Sequence, residues 1–109
     1  MSNKPRLLTG DTPTGQLHLG HYVGSIENRI KFQDQYQCFF LLANTHAFTT
    51  RAGDPDAIYQ STMDIILDYV AAGIDPEKSH IVIESHISAI YQICTQLSMI
   101  VPYPRVMRN

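Results

Sequence analysis

Apolar residues recur along this chain with changing spacing, and each change falls where glycine, proline or aspartate gathers. "RLLT", residues 6–9, is a short apolar run that breaks at "GDTPTG", as a buried strand does on entering a turn. From Leu19 to about Gln33 the spacing becomes helical. It places Leu19, Tyr22, Val23, Ile26, Ile30 and Phe32 near one side, with Glu27, Asn28 and Lys31 opposite. "CFFLLA", residues 38–43, is apolar throughout, the pattern of a strand covered on both faces.

A second helix is expected over residues 55–72, capped by Asp54 or Asp56, with Pro55 in its first turn and Gly73 ending it. Its apolar face is Ile58, Met63, Ile66, Leu67, Tyr69 and Val70. "HIVIES", residues 80–85, reads as a third strand. Ser88 then caps a last helix to about Ile100, which the prolines at 102 and 104 end, leaving "VPYPRVMRN" as an extended tail. The order is β-α-β-α-β-α. Strands joined through helix-length segments pair in parallel by right-handed crossovers, so the expected fold class is α/β, a three-layer parallel sheet of nucleotide-binding type.

Length and composition narrow this picture. With 109 residues, 44% of them hydrophobic, the chain fits one domain with a real core. A formal charge of −2 describes a soluble, mildly acidic protein without the basic stripe of a self-sufficient nucleic-acid binder. Cys38 and Cys94 lack metal or disulfide spacing, which suits a reducing, cytoplasmic setting. No apolar stretch approaches the ~20 residues of a membrane span, so no membrane partner is expected. The ending reads as a truncation, three strands being half of a doubly wound sheet that binds ligands at strand ends.

The chemistry concentrates in "PTGQLHLGHYVG", residues 13–24. A strand, a turn and a helix N-terminus gather free backbone N–H groups at the positive end of the helix dipole, which suits a phosphate. His18 and His21, spaced i and i+3, bring side-chain donors to one side of the opening turn, within reach of the same phosphate chain. Gly20 lets a nucleotide approach the backbone, Gly15 serves the turn, and Gly24 permits close helix packing. No serine triad, acid–base dyad or metal-ligand cluster can be assembled, so the expected metal-site residues are none.

"PTGQLHLGH" resembles the H-I-G-H signature of class I aminoacyl-tRNA synthetases, and the longer "PTGQLHLGHYVGS" resembles the tryptophanyl-tRNA synthetase form of it. "NTHAFTT" is similar to that family's D-x-H-A-[IL]-T segment, and "AAGIDPEKSHIVIES" to its V-G-I-D-P block. The resemblance implies that residues 1–109 are the amino-terminal half of a Rossmann-type catalytic domain. It implies an enzyme that activates tryptophan with ATP and Mg²⁺ and passes it to tRNA, and that works as a homodimer through the region of the last helix. By the same resemblance His18 and His21 are the catalytic donors. Thr12, Pro13, Thr14 and Gly15 line the ATP phosphates, with Gly20 and His21 meeting the adenosine end. Leu8, Gly10, Ala43 and His46 would meet the amino acid.

Two positions depart from the family pattern. Asn44 replaces a common aspartate, and Asp11 stands where an apolar residue is frequent; its expected role is structural, with Mg²⁺ binding as the alternative. Glu84, Ser85 and His86 read as strand-end hydrogen bonds or a helix cap, Arg105 and Arg108 as solvated charge. The apolar side of the last helix, Ile90, Ile93, Cys94, Leu97 and Ile100, reads as core. The family's K-M-S-K-S signature is absent from these residues, so the expected activity of this chain by itself is weak or nil. Three other readings stay open: a tyrosyl-tRNA synthetase, an H-x-G-H nucleotidyltransferase, and a non-catalytic ATP-binding fragment.

Overall fold

The computed structural model describes residues 4–108. Three parallel strands, β1 (Arg6–Asp11), β2 (Gln37–Leu42) and β3 (Ser79–Ile83), lie in the order β1-β2-β3. Between β1 and β2 runs one helical stretch in three pieces: α1 (Leu19–His21), a π turn (Tyr22–Ile26) and α2 (Glu27–Phe32). α3 (Phe48–Arg51) and α4 (Pro55–Ala72) join β2 to β3, and a 3₁₀ turn (Glu84–His86), α5 (Ser88–Ile100) and α6 (Tyr103–Val106) follow.

Register pairs Leu7 with Cys38, Thr9 with Phe40 and Asp11 with Leu42, and then Cys38, Phe40 and Leu42 with Ser79, Ile81 and Ile83. These residues share one face of the sheet. Cys38, Phe40 and Leu42 meet Ile26 from the first crossover and Ile65 and Tyr69 from α4 in one buried cluster, closed by Ile74. Both crossovers step the same way across the sheet, and right-handed connections then put both helices on one side. The parallel α/β sheet is as expected. Of its three expected layers, two are packed among the described residues, because α5 buries no side chain.

α4 is bounded as its sequence predicts. The Asp54 side chain accepts from the Ala57 N–H, Pro55 opens the first turn, and Gly73 ends the helix in the left-handed region at φ 113°. The buried face differs from the expected one. It is Ile58, Thr62, Ile65 and Tyr69, while Met63, Leu67 and Val70 are exposed. Thr62 joins that face because its hydroxyl donates to the Ile58 carbonyl at 2.7 Å.

In the first helical stretch Leu19, Tyr22 and Val23 are exposed, and the buried positions are Ile26, Arg29 and Gln33. The π turn is the reason: it holds an extra residue, so the residues before it are rotated away from the stripe that follows. Gln33 is buried because its side-chain amide donates to the Gly73 carbonyl and accepts the Asp75 N–H. Gly24 has open space where a Cβ would stand, so it serves no close packing.

Further along, Ile87 rather than Ser88 precedes α5, with no side-chain cap, and the segment expected to be extended forms α6. Ile93, Cys94, Leu97 and Ile100 are exposed and Ile90 is half-buried. Of the expected core face, Ile90, Ile93, Cys94 and Leu97 instead line an open groove with Val101, Tyr103 and Val106. Among the described residues no helix is long and apolar enough to cross a membrane.

Candidate phosphate-binding site at the end of β1

The loop from Thr12 to His18 carries the chain from β1 into α1. Gly15 sits at φ +151°, in the region that favours glycine, as its turn role requires. Pro13 is fully buried and shapes the loop rather than lining its surface.

His18 is the residue before the helix. Its Nδ1 accepts the Gly20 N–H at 3.1 Å, while the His18 N–H donates to Nδ1 of His21 at 3.2 Å. The two rings lie 4.0 Å apart between centroids. This reciprocal cap implies the tautomers. A ring nitrogen that accepts a hydrogen bond carries no proton, so in each neutral ring the proton is on Nε2. Both histidines therefore turn an Nε2–H donor away from their own backbone. The room left by Gly20 is used by the first ring: a Cβ there would stand 2.8 Å from Cε1 of His18.

Beside this pair lies a cleft of about 190 Å³ lined by Asp11, Thr12, Thr14, Gly15, Gln16, Leu17, His21 and Ile65. Four of the expected ATP residues, Thr12, Thr14, Gly15 and His21, thus meet in one cleft; Pro13, His18 and Gly20 are outside it. Its volume suits a phosphate group rather than a whole nucleotide, since pockets for drug-sized ligands run to about 300 Å³ and above.

Under the cleft is a group that sequence spacing did not reveal. Arg29 donates from Nη1 and Nη2 to the two oxygens of Asp11, at 2.8 and 3.2 Å, from Nε to the Ser25 hydroxyl and from Nη1 to the Tyr69 hydroxyl. Tyr69 in turn donates to Asp11. Burial opposes the Arg29 charge, but the bonds and ion pairing with Asp11 outweigh it and hold the pKa above its ordinary value. Burial, together with the bond to Asp11, pushes the Tyr69 pKa well above that of an ordinary tyrosine. Asp11 thus has the structural role expected of it. The i, i+4 pair Ser25 and Arg29 was the one local signal; Asp11 and Tyr69 come from distant elements.

The expected amino-acid residues are not gathered into one cavity. Leu8 is 72% exposed and lines a hollow between β1 and α2 with Gly24, Asn28 and Phe32. Gly10 pairs with Leu41 so closely that a Cβ would strike the Leu41 carbonyl. Ala43 extends the ladder by donating to the Asp11 carbonyl, and His46 is exposed. The backbone N–H groups of Thr45 and His46 both donate to one carboxylate oxygen of Glu84 at 3.1 Å. Asn44 and Ser85 exchange two bonds, the Asn44 amide donating to the Ser85 hydroxyl and accepting the Ser85 N–H. Asn44, Glu84 and Ser85 thus hold the ends of β2 and β3 together. Among the described residues no group of three or more His, Cys, Asp or Glu could hold a metal ion.

The sequence and fold of this chain are similar to those of known proteins. The chain is 49% identical over 108 residues to the tryptophan–tRNA ligase of Lactococcus lactis, covering 97% of this chain and 32% of that protein. It superposes on the crystal structure of tryptophanyl-tRNA synthetase from Campylobacter jejuni with a TM-score of 0.88 at 32% identity, covering 98% of this chain and 33% of that one. A second structure of the Campylobacter enzyme, complexed with ADP and tryptophan, matches with a TM-score of 0.85 at 32% identity over 94% of this chain and 32% of that one. The chain spans about a third of the length of these relatives. The family model for tRNA synthetases class I (W and Y) matches residues 1–108. With its H-x-G-H residues opening the helix that follows the first strand of a parallel sheet, this chain belongs to the class I tRNA synthetases of the tryptophan and tyrosine group.

Proposed function

We propose that residues 1–109 are the amino-terminal half of the Rossmann-type catalytic domain of a tryptophan–tRNA ligase, and that the β1–α1 loop grips the phosphates of ATP. The observation that carries this reading is the reciprocal cap that joins His18 and His21 beside the cleft, which leaves each Nε2 as the ring donor. In the reaction a tryptophan carboxylate oxygen attacks the α-phosphorus, the P–O bond to the β-phosphate breaks, and pyrophosphate leaves. Charge shifts onto the leaving oxygens, and donors already aimed at them need no rearrangement. His18 and His21 supply those donors, with Thr12, Thr14 and Gly15 lining the cleft. The adenylate then passes its aminoacyl group to tRNA.

Mg²⁺ would arrive on the triphosphate, a hard ion bound by phosphate oxygens and water. The acid of this loop does not serve it, since Asp11 is committed to Arg29 and Tyr69. No step is therefore assigned to a protein-held metal. Tryptophan rather than tyrosine follows from the ligase that this chain matches at 49% identity. Leu8, Gly10, Ala43 and His46 form part of the amino-acid side in this reading, completed by residues outside these 109. The free thiols of Cys38 and Cys94 suit the cytoplasm, where tRNA charging occurs, and the apolar side of α5 suits a homodimer.

The test is ATP–pyrophosphate exchange by the full-length protein, with tryptophan against tyrosine. Tryptophan should support exchange, and His18→Ala or His21→Ala should each lower kcat about 100-fold, the loss typical of one preorganised donor. Exchange with tyrosine alone would reassign the substrate. Unchanged kinetics in both variants would remove the phosphate role of the pair.

A further inference from the structure

We propose that Arg29 is a positioning residue for ATP: from beneath the loop it holds and neutralises Asp11, which allows an acid to line a cleft that receives phosphate. The inference rests on the reading of that loop as the phosphate grip. Asp11 is the last residue of β1, next to Thr12, and it lines the cleft with 23% of its side chain accessible. An unpaired carboxylate there would stand within a few ångströms of a polyanion and repel it. Among the described residues no other acid lines this cleft; Asp64 and Asp68 line a neighbouring hollow with Gln16 and Leu17.

Arg29 is built for that task rather than for touching the ligand. Its side chain is 4% exposed and it faces both carboxylate oxygens as a planar fork, which a lysine cannot reproduce. Ser25 fixes Nε and Tyr69 fixes Nη1, so β1, the first helical stretch and α4 converge on the base of the loop. A pair that served stability alone could be replaced by apolar side chains at little cost to binding. A pair that shields the cleft has an electrostatic sign, and that sign can be measured.

The experiment measures the KM for ATP and for tryptophan separately in pyrophosphate exchange by the full-length protein, with thermal melts alongside. Arg29→Met should raise the KM for ATP about tenfold while that for tryptophan stays within about twofold. Asp11→Asn should lower the KM for ATP, because the remaining guanidinium then attracts phosphate. The double variant should return toward the wild-type KM for ATP, whatever its melting temperature. A structural role alone moves both single variants in the same direction and gives no such return, and either result overturns the proposal. If Arg29→Met does not fold, Arg29→Gln, which also removes the charge, and Asp11→Asn must still shift the KM for ATP in opposite directions. His21→Ala separates the two levels of inference. If it leaves the KM and kcat for ATP unchanged, the phosphate reading itself is wrong; if it impairs them while the Arg29 and Asp11 signs agree, only the shielding role is.

Discussion

A methyl group added to Gly20 would stand 2.8 Å from Cε1 of His18, inside the space of the ring. The ring cannot yield without giving up the bond from the Gly20 N–H, so Gly20→Ala should uncouple the two histidines. We expect a loss of about 1 kcal/mol, typical of a lost helix cap, and a clear rise in the KM for ATP. In ¹⁵N spectra of the neutral wild-type rings, both histidines should carry the proton on Nε2, and His18 should lose that single tautomer in the variant. Finding Nδ1 protonated in the wild type would refute the cap as the source of the donor geometry. At this scale the site was legible where its residues are near in sequence. The three-residue spacing of His18 and His21 is that of a reciprocal helix cap, which brings their rings together. Arg29 was not legible, because its meaning comes from a carboxylate 18 positions earlier and a hydroxyl 40 positions later.

α4 shows what amphipathic periodicity can and cannot specify. Its ends are written in single residues, Asp54 and Gly73, and the structure uses both. Its buried face is set by what it meets, and Tyr69 turns inward toward Asp11 and Arg29. That contact makes alkaline stability a test of the element's seat. The Tyr69 pKa is raised in the folded state, so the contribution of its neutral hydroxyl is complete below the ordinary tyrosine value of about 10 and is lost as pH climbs above it. Tyr69→Phe should lower stability near neutral pH by about 1–3 kcal/mol, through the unpaired bonds left on Asp11 and Arg29. It should also flatten the decline above pH ~10 in denaturant melts; an equally steep decline would place the titration elsewhere. The first helical stretch teaches a complementary lesson. Its existence is plain from sequence, but the π turn at Tyr22–Ile26 shifts the phase, and no hydrophobic pattern announces an extra residue in a turn.

The radius of gyration is 15.9 Å, against about 13 Å for a compact domain of this length. The excess fits a molecule whose α5 packs little against the rest, with Met99, Ile100 and Tyr103 each more than 70% exposed. The parallel order of elements was legible because each crossover carries its own start and stop residues. The destination of the apolar face on α5 was not, since periodicity marks a face as apolar without naming what covers it. A 109-residue polypeptide of this sequence should show no measurable charging of tRNA in an acid-precipitable aminoacylation assay; robust charging would mean that one grip suffices for catalysis. The strand order has a further consequence, in time rather than in space. Because β1-β2-β3 follows chain order, β2 and β3 each find a neighbouring strand already made when they leave the ribosome, at roughly 5–20 residues per second. Among the described strands the sheet can grow in the direction of synthesis, with only β1 waiting for a partner not yet translated.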